Sequence, residues 1–337
     1  MISYVLELTN KINQIFNGRN TVKTLKAIIY LSVFLLGSSL AQAKEIKMAK
    51  ANWDTGYFQA EVYKMALEKL GYKVKKPKAI KPSVFYVAAA QGDLDLWVNG
   101  WFGTHDTYLE ETKGKVKPVG YVMKKGGLQG YLIDKKTADR LNIKSVLDIK
   151  KHAKQFDANN DGKADMVACP PGWGCEKQIT KHFAELKLGE FINPIQAEYS
   201  ASMADALARY KNGKSVLFYT WTPNWTVGAF QLGKDVVWIE VPYSKTKVTE
   251  VENATKPAIN LGFGADDIRP AVNTDFLKKN PKVAKLLEVA SIPLADIAAQ
   301  NMLMNKGEKS ERQVTAHAKA WVKKNQKTFD SWIAAAK

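Results

Sequence analysis

The chain has 337 residues, 46% of them hydrophobic, and a mean hydropathy of −0.28, values typical of a water-soluble globular protein with enough residues for two lobes. Its net charge of +17 is high enough to consider nucleic acid or an anionic membrane as a partner. The lysines are scattered singly and in pairs, however, with no arginine cluster and no aromatic–basic motif. The charge is therefore interpreted as a solvated surface, and nucleic acid is excluded as a partner.

The N-terminal segment has the pattern of a secretory signal peptide. Basic residues precede an apolar run from Ala27 to Leu40, which is followed by the small-x-small sequence AQA ending at Ala43. The alternative is a retained membrane anchor, but this run of 14 residues is shorter than the ~20 that a spanning helix needs. The sequence thus predicts cleavage of residues 1–43 and export to the periplasm. No cysteine near residue 43 indicates lipid attachment.

After this segment, predicted helices and strands alternate along the chain. The first helix has an apolar face and ends at Gly71, and it precedes a short strand, YKVKK. A helix, a Gly-Asp turn and a buried strand follow within VFYVAAAQGDLDLWVNGW. Further strands are predicted at LQGYLID, SVLFYTW and DVVWIEVPY, and further helices at SVLDIKKHAKQF and ASMADALARYKNGK. Residues 312–337 predict one long amphipathic helix, and the alternation as a whole predicts an α/β protein with largely parallel sheets.

The two cysteines of the chain, Cys169 and Cys175, both lie in the stretch ACPPGWGCEK. In an oxidising compartment such a pair predicts a disulfide, which stabilises the fold by about 2.4 kcal/mol in the chain-entropy model. A structural zinc ion would need two more ligands, and the nearest candidate, His182, has no partner cysteine. A redox pair usually has C-x-x-C spacing, which this pair lacks. A disulfide is therefore the favoured interpretation.

Sequence motifs of enzymes are absent. The chain contains no G-x-S-x-G, H-E-x-x-H, P-loop or G-x-G-x-x-G sequence. His105 and Asp106 are adjacent, but neighbouring side chains usually point apart and no nucleophile accompanies them. His152, His182 and His317 lie in helical stretches, where surface positions are expected. The sequence therefore does not predict an enzyme.

The stretch DANNDGKAD resembles the first half of a calcium-binding loop. Asp157, Asn159, Asp161 and Asp165 occupy positions of calcium ligands, but Ala168 stands where the bidentate glutamate is required. Two interpretations stay open at this point. The loop either holds a structural calcium ion or is a polar turn that leads to the cysteine loop.

Three of the nine tryptophans lie where a predicted strand ends or a loop begins, at Trp101, Trp173 and Trp221. In α/β sheets such positions, beyond the carboxyl ends of strands, are where ligands bind. The other six tryptophans are interpreted as core or near-core residues: Trp53, Trp97, Trp225, Trp238, Trp321 and Trp332.

Taken together, these motifs resemble a known family. The segments W-x3-H-D (from Trp101), DGKAD followed by CPPGWGCE, and YTWTPNW are similar to those of the glycine-betaine-binding subunit of ProU-type osmoprotectant ABC transporters. The resemblance extends over most of the chain after residue 43. It implies a two-lobed type II periplasmic binding protein, α/β with mixed, mostly parallel sheets. One lobe would comprise residues 44–130 and 262–337, the other residues 131–261, with the ligand in the cleft between them.

The resemblance also implies a ligand site. Trp101, Trp173 and Trp221 would form a cage around a trimethylammonium group. The side chain of His105 and the backbone N–H groups of Gly174 and Cys175 would hold the ligand's carboxylate. The implied partners are a small methylated amine and a membrane ABC permease, with the binding protein a monomer that needs no cofactor.

Elementary chemistry agrees with such a cage, because a quaternary ammonium has no N–H to donate and is attracted chiefly to aromatic faces. Three desolvated faces contribute roughly 6 kcal/mol, whereas micromolar affinity needs about 8.2 kcal/mol net, so a polar contact is also required. The sequence departs from the family pattern N-W-x-P-x-H, because Gly100 replaces the asparagine and Gly103 the proline. The carboxylate end is therefore less well defined than the cage.

Several alternatives stay open at the level of sequence. Trimethylamine N-oxide, choline, carnitine or dimethylsulfoniopropionate would use the same aromatic walls with a different polar end. Trp53 or Trp97 would be candidates for a fourth wall. An alternative of another class is a signalling or adhesion module that has no small ligand.

Overall fold

The computed structural model describes residues 45–242 and 259–337, so the predicted signal peptide and its cleavage site lie outside the described residues. The strands are β1 Glu45–Ile46, β2 Met48–Ala51, β3 Lys73–Val74, β4 Lys78–Ile80, β5 Leu96–Phe102, β6 Val116–Pro118, β7 Met123–Asp134, β8 Ala164–Val167, β9 Ile192–Ile195, β10 Leu217–Thr222, β11 Val236–Ile239 and β12 Asp266–Asn273.

The α-helices are α1 Tyr57–Lys69, α2 Pro82–Gln91, α3 Asp106–Glu111, α4 Lys135–Leu141, α5 Ile149–His152, α6 Gly174–Glu185, α7 Tyr199–Lys211, α8 Thr226–Ala229, α9 Thr274–Lys279, α10 Pro281–Val289, α11 Leu294–Asn305, α12 Glu311–Lys324 and α13 Gln326–Ala336. Within the described ranges, none of these helices is both long and apolar enough to cross a bilayer.

One continuous sheet runs through the molecule in the strand order β4-β2-β5-β12-β7-β10-β8-β9, with β6 paired to β12 and β11 paired to β7. The long strand β7 joins its two halves. Near its start, β7 pairs antiparallel with β12, with Met123 opposite Ile268. Near its end, it pairs antiparallel with β10 and β11, with Ile133 opposite Leu217.

The predicted α/β class with mixed sheets is confirmed. Parallel pairs lie toward the outer strands, as in β2 with β4 and β5, and in β8 with β9 and β10. Antiparallel pairing is more extensive than the alternation of strands and helices indicates, since both β7 and β12 run antiparallel to their neighbours.

Helix boundaries follow the local sequence signals. Helix α1 buries the face that includes Phe58, Val62 and Ala66, and the chain leaves it through Gly71, at a positive φ of 91°. Helix α2 begins with Pro82, whose missing N–H costs nothing in a first turn. The two helices pack against β2 and β5 and so bury these strands in the core.

The C-terminal region forms two helices, so the prediction of a single long helix is wrong. The chain breaks between α12 and α13 at Asn325, whose side-chain amide donates to the backbone oxygen of Trp321. The break lets the ring of Trp332 stack on that of Trp321, with centroids 5.8 Å apart. The apolar periodicity continues across the break because both helices bury the same side.

The structure also corrects two smaller predictions. The stretch SVLDIKKHAKQF forms short 3-10 and α turns instead of one helix.

His182 is 1% exposed, so its predicted surface position is wrong. Its Nδ1 lies 2.8 Å from the hydroxyl of Tyr131, and its Nε2 lies 2.9 Å from the backbone oxygen of Gly262. Two polar partners make this burial tolerable on a helix that otherwise has a polar outer face.

We expect Trp332→Ala to lower the free energy of unfolding by about 3–5 kcal/mol, because the ring is 4% exposed and contacts the rings of Trp321, Phe329 and Tyr63. Urea denaturation measures the change. Lys327→Ala, on the exposed side of the same helix, is the matched control and should stay within about 0.5 kcal/mol of the wild type. Equal losses in the two variants would contradict this assignment of Trp332 to the core.

Burial lowers the pKa of His182 to about 4. Its neutral form therefore supports the fold above pH ~6.5, and this stabilisation is lost as the pH falls toward 4. Between pH 7 and pH 5 the wild type should lose about 2 kcal/mol more unfolding free energy than His182→Gln, which does not titrate. Urea denaturation of both proteins at the two pH values measures the difference. Parallel losses would contradict the lowered pKa.

Candidate functional site

A small cavity, here called the tryptophan cavity, brings together residues from five segments of the chain. Its empty volume, opening included, is about 290 Å³. All six residues predicted to contact the ligand line it, together with four others. The lining residues are Trp53, Trp101, Thr104, His105, Gln129, Trp173, Gly174, Cys175, Tyr219 and Trp221.

The three predicted cage residues lie at the ends of regular elements. Trp101 is near the end of β5, Trp173 is the N-cap of α6, and Trp221 is near the end of β10. The rings of Trp101 and Trp221 are almost perpendicular, at 84°, with centroids 6.5 Å apart. Those of Trp173 and Trp221 meet at 74° with centroids 5.7 Å apart. The three rings thus face one space from different directions.

Trp53 contributes a fourth indole ring to the cavity. From the sequence, this residue is interpreted as core or near-core and is also named as a candidate fourth wall. It lies two residues after the end of β2, and its ring centroid lies 5.0 Å from that of Trp173. Trp97 does not line the cavity; it lies behind Trp53, with centroids 5.6 Å apart. A tryptophan just after a strand is the signal that would have identified Trp53.

His105 presents a defined tautomer. The backbone N–H of Trp101 donates to its Nδ1 at 3.1 Å, so Nδ1 is the acceptor and the ring proton is on Nε2. The ring stacks on Trp97, with centroids 5.5 Å apart, and is 2% exposed. Burial lowers the pKa of His105 to about 3, so it is neutral at physiological pH. The residue therefore offers the cavity an N–H donor and no formal charge.

The start of α6 supplies further donors. The N–H groups of Gly174 and Cys175 belong to the first turn, where no intrahelical acceptor exists, and no other acceptor is found for them within the described residues. The helix dipole adds partial positive charge at this end. Residue 174 must be glycine, because a Cβ there would lie 2.6 Å from Thr104 and 2.7 Å from His105.

The predicted disulfide between Cys169 and Cys175 is present. It ties the chain just after β8 to the first turn of α6. The loop between the cysteines is held from the opposite side as well. The N–H of Ser83 donates to the oxygen of Gly172 at 3.3 Å, and the hydroxyl of Tyr108 donates to that of Trp173 at 3.3 Å. Trp173 is therefore fixed by covalent and hydrogen bonds together.

The departure from the family pattern before His105 has a local cause. Gly103 has a φ of 112°, which proline cannot adopt, and a Cβ there would collide with the carboxylate of Asp266. The N–H of Gly103 donates to Asp106 at 3.0 Å, and that of Thr104 donates to Asp266 at 3.0 Å. Thr104, Gln129 and Tyr219 are further lining residues, and no sequence signal pointed to them.

In the loop considered for calcium, each candidate side chain accepts a hydrogen bond from the loop itself, and Oδ1 of Asp165 has no partner among the described residues. Asp157 accepts three backbone N–H groups of the loop at 2.7 to 3.2 Å, and Asp165 accepts one at 2.8 Å. Asn159 and Asp161 bond to each other and to the same loop. Across residues 45–242 and 259–337, no group of three or more His, Cys, Asp or Glu side chains is placed to hold a metal ion. Of the two interpretations, a structural calcium site and a polar turn, these contacts support the polar turn.

Comparison with known proteins identifies the family. Residues 44–324 match the model of the substrate binding domain of ABC-type glycine betaine transport systems. The chain belongs to this family. The resemblance inferred from the tryptophan and cysteine motifs is thereby confirmed.

Two curated members of the family are similar over most of their length. The glycine betaine-binding periplasmic protein OusX of Dickeya dadantii is 42% identical over 285 residues, which cover 83% of this chain and 86% of the relative. The glycine betaine/proline betaine-binding periplasmic protein of Escherichia coli is 41% identical over 284 residues, covering 82% and 85%. The trimethylamine N-oxide-binding protein of Pelagibacter ubique is 24% identical over 322 residues, covering 92% and 98%.

Solved structures share the fold. Lactococcal OpuAC in its closed conformation with glycine betaine superposes with a TM-score of 0.67 at 21% identity, covering 86% of this chain and 99% of that one. An ABC-transporter choline-binding protein in complex with choline superposes with a TM-score of 0.69 at 19% identity, covering 87% and 93%. The predicted type II periplasmic binding-protein fold is confirmed.

Proposed function

We propose that this chain is the exported solute-binding protein of an ABC importer and that it binds glycine betaine, or a closely related quaternary ammonium compound, in the tryptophan cavity. One observation carries the proposal. Four indole rings and a set of N–H donors, drawn from separate segments of the chain, line a single small cavity.

The indole rings suit a methylated cation. The rings of Trp101 and Trp221 both line the cavity, with centroids 6.5 Å apart, so a cation held between them would lie within the roughly 6 Å range of a cation–π contact to each. Trp53 and Trp173 extend the same wall. The four rings are at most 7% exposed, so the contacts would be made away from water, where they are strongest.

The polar end favours an anionic group. His105 Nε2 and the N–H groups of Gly174 and Cys175 are donors, and the indole N–H groups of Trp173 and Trp221 are buried without an acceptor in the described part of the chain. The side-chain oxygens of Gln129 and Thr104, by contrast, already accept hydrogen bonds. A carboxylate, which only accepts, fits this end better than the hydroxyl of choline, which must also donate.

The energies require both ends. Four desolvated indole faces contribute roughly 8 kcal/mol before the cost of association, and micromolar affinity needs about 8.2 kcal/mol net. Charge-assisted hydrogen bonds from several donors to a carboxylate supply the remainder. A ligand with only the cation or only the carboxylate would bind weakly.

We place the lobe boundaries as the family resemblance implies, at residues 44–130 with 262–337 and at residues 131–261. Sheet membership supports this division, since β2, β4, β5, β6 and β12 lie in the first set and β8 to β11 in the second. Each set contributes five of the ten lining residues. The ligand would then be enclosed by lobe closure about β7, a hinge motion common among binding proteins.

The cellular role follows from the family. Its curated members are periplasmic, and residues 1–43 of this chain carry a signal-peptide pattern. In the proposed role the mature monomer acts in the periplasm and delivers its ligand to a membrane permease. Binding and release of an osmoprotectant require neither a catalytic group nor a cofactor.

Isothermal titration with glycine betaine tests the proposal. We expect saturable one-to-one binding, and Trp101→Ala, Trp173→Ala and Trp221→Ala should each weaken it by about 1–3 kcal/mol through loss of a cation–π face. Trp53→Ala should do the same if the fourth ring is a wall. Trp321→Phe, between the C-terminal helices, is the matched control and should bind as the wild type does.

Titrations with choline, trimethylamine N-oxide and the dimethyl analogue of glycine betaine compare how much the cationic end and the carboxylate end of the ligand contribute to affinity. Because the dimethyl analogue carries an N–H with no acceptor in the cage, it should bind more weakly than glycine betaine. Absence of heat with every one of these ligands at millimolar concentration, in a folded protein, would reject the proposed function.

A further inference from the structure

A buried carboxylate lies directly behind the tryptophan cavity. Asp266, the first residue of β12, is 1% exposed, and no lysine, arginine or histidine in the described residues forms an ion pair with it. It is instead surrounded by hydrogen-bond donors. Oδ1 accepts the N–H of Thr104 at 3.0 Å, and Oδ2 accepts the hydroxyl of Thr104 and the side-chain amide of Gln129, each at 2.5 Å. A buried acid without a cation is costly, which calls for an explanation.

The hydrogen bonds of Asp266 connect both sides of the cavity. Thr104 belongs to the turn that leads from Trp101 to His105. Gln129, on β7, accepts the hydroxyl of Tyr219 with its Oε1 at 2.5 Å. Tyr219 is two residues before Trp221 on β10, so the network joins the turn on one side to the strand on the other.

We propose that Asp266 is a positioning residue of the tryptophan cavity. Its ionised carboxylate holds the turn of Trp101 in register with the strand of Trp221, and ligand affinity therefore depends on the ionisation of Asp266. This inference rests on the proposed function of the cavity as a ligand site.

The geometry matches the ionised form. Three donors point at the carboxylate, and a protonated oxygen would have to donate where it now accepts. Protonation of Oδ2 in particular would place its O–H against the donors of Thr104 and Gln129. The contact with Gln129 would be lost, and with it the link through Gln129 to Tyr219. Burial, the main cause, raises the pKa of Asp266 to about 7, with repulsion from Asp106 adding to it. Both forms are thus populated near neutral pH.

Asp266 is the group at this site whose charge changes near neutral pH. Burial holds the pKa of His105 near 3 and raises that of Tyr219 well above its usual value, so neither ionises between pH 5.5 and 8.5. The neighbouring Asp267 is turned away and accepts the backbone N–H of Lys125 at 2.7 Å. Asp106 on the turn is the other charge that acts on Asp266.

The sign of the pH effect follows. In the proposed role the ionised form of Asp266 holds the rings in register, so ligand binding favours that form, lowers the pKa of Asp266 and releases a proton. Affinity should therefore rise as the pH increases through about 7. A shift of one pKa unit on binding corresponds to about a tenfold change in affinity.

Titration of glycine betaine at pH 5.5 and pH 8.5 tests the inference. We expect the wild type to bind about tenfold more tightly at pH 8.5. Asp266→Asn should bind equally at the two pH values, near the weaker wild-type level. Asp267→Asn is the matched control and should keep the wild-type pH profile. A flat wild-type profile, or an unchanged pH dependence in Asp266→Asn, would overturn the inference.

Thr104→Val provides a second variant that does not remove the acid. It deletes one hydroxyl donor that favours the ionised form, so the midpoint of the pH profile should move to higher pH. A purely structural role for Thr104 would change affinity at all pH values without moving the midpoint. That result would also overturn the inference.

The near-ultraviolet circular dichroism of the ligand-free protein separates this inference from the proposed function. We expect a tryptophan signal that titrates with a midpoint near pH 7 in the wild type and not in Asp266→Asn. If this titration is present but no ligand binds, Asp266 positions the rings and the proposed function is wrong. If glycine betaine binds with no pH dependence and no such titration, the proposed function stands and the role of Asp266 is rejected.

Discussion

A cation that has no N–H group can be recognised chiefly through its diffuse charge, and aromatic faces are the protein groups that meet it best. In the proposed account this requirement organises the whole site. Indole rings must come from distant segments and converge without hydrogen-bonding to the ligand's cationic end. The structure achieves this convergence at element ends, with Trp101 near the end of β5, Trp221 near the end of β10 and Trp53 just beyond β2. Trp173 lies at the end of the short loop from β8 to α6, where a disulfide and two hydrogen bonds from outside the loop hold it in place.

The polar groups of the cavity are divided by the same logic. Donors are gathered at the neutral ring of His105 and the first turn of α6, where an anionic end would be bound. The side-chain oxygens of Thr104 and Gln129 already accept hydrogen bonds, from the amide of Gln129 and the hydroxyl of Tyr219, so they are not free to bind a donor on the ligand. Behind them, the carboxyl group of Asp266 lies in a layer that does not touch the cavity.

The sequence was most informative where the candidate site residues are concentrated in short motifs. The cage predicted from three tryptophans lines one cavity, as does His105, and the α/β class was predicted from the alternation of elements. Trp53 was less clear, because a buried ring in the core and a buried ring at a cavity leave the same apolar pattern. His182 was misassigned since helical spacing alone does not reveal partners on other elements. Asn325 broke a helix whose apolar period continued beyond it. The bonds of Asp266 join residues more than a hundred positions apart, and one sequence contains no trace of such a pairing.

The central claim is that charge, and not shape alone, holds the ligand among the indole rings. The most direct measurement compares the affinity of glycine betaine with that of its carbon isostere, in which a neutral tert-butyl group replaces the trimethylammonium group. The two molecules have nearly the same size and shape and both carry a carboxylate, so the comparison isolates the effect of the positive charge. The account predicts that glycine betaine binds about 100-fold or more tightly than the isostere. Equal affinities for the two would contradict it.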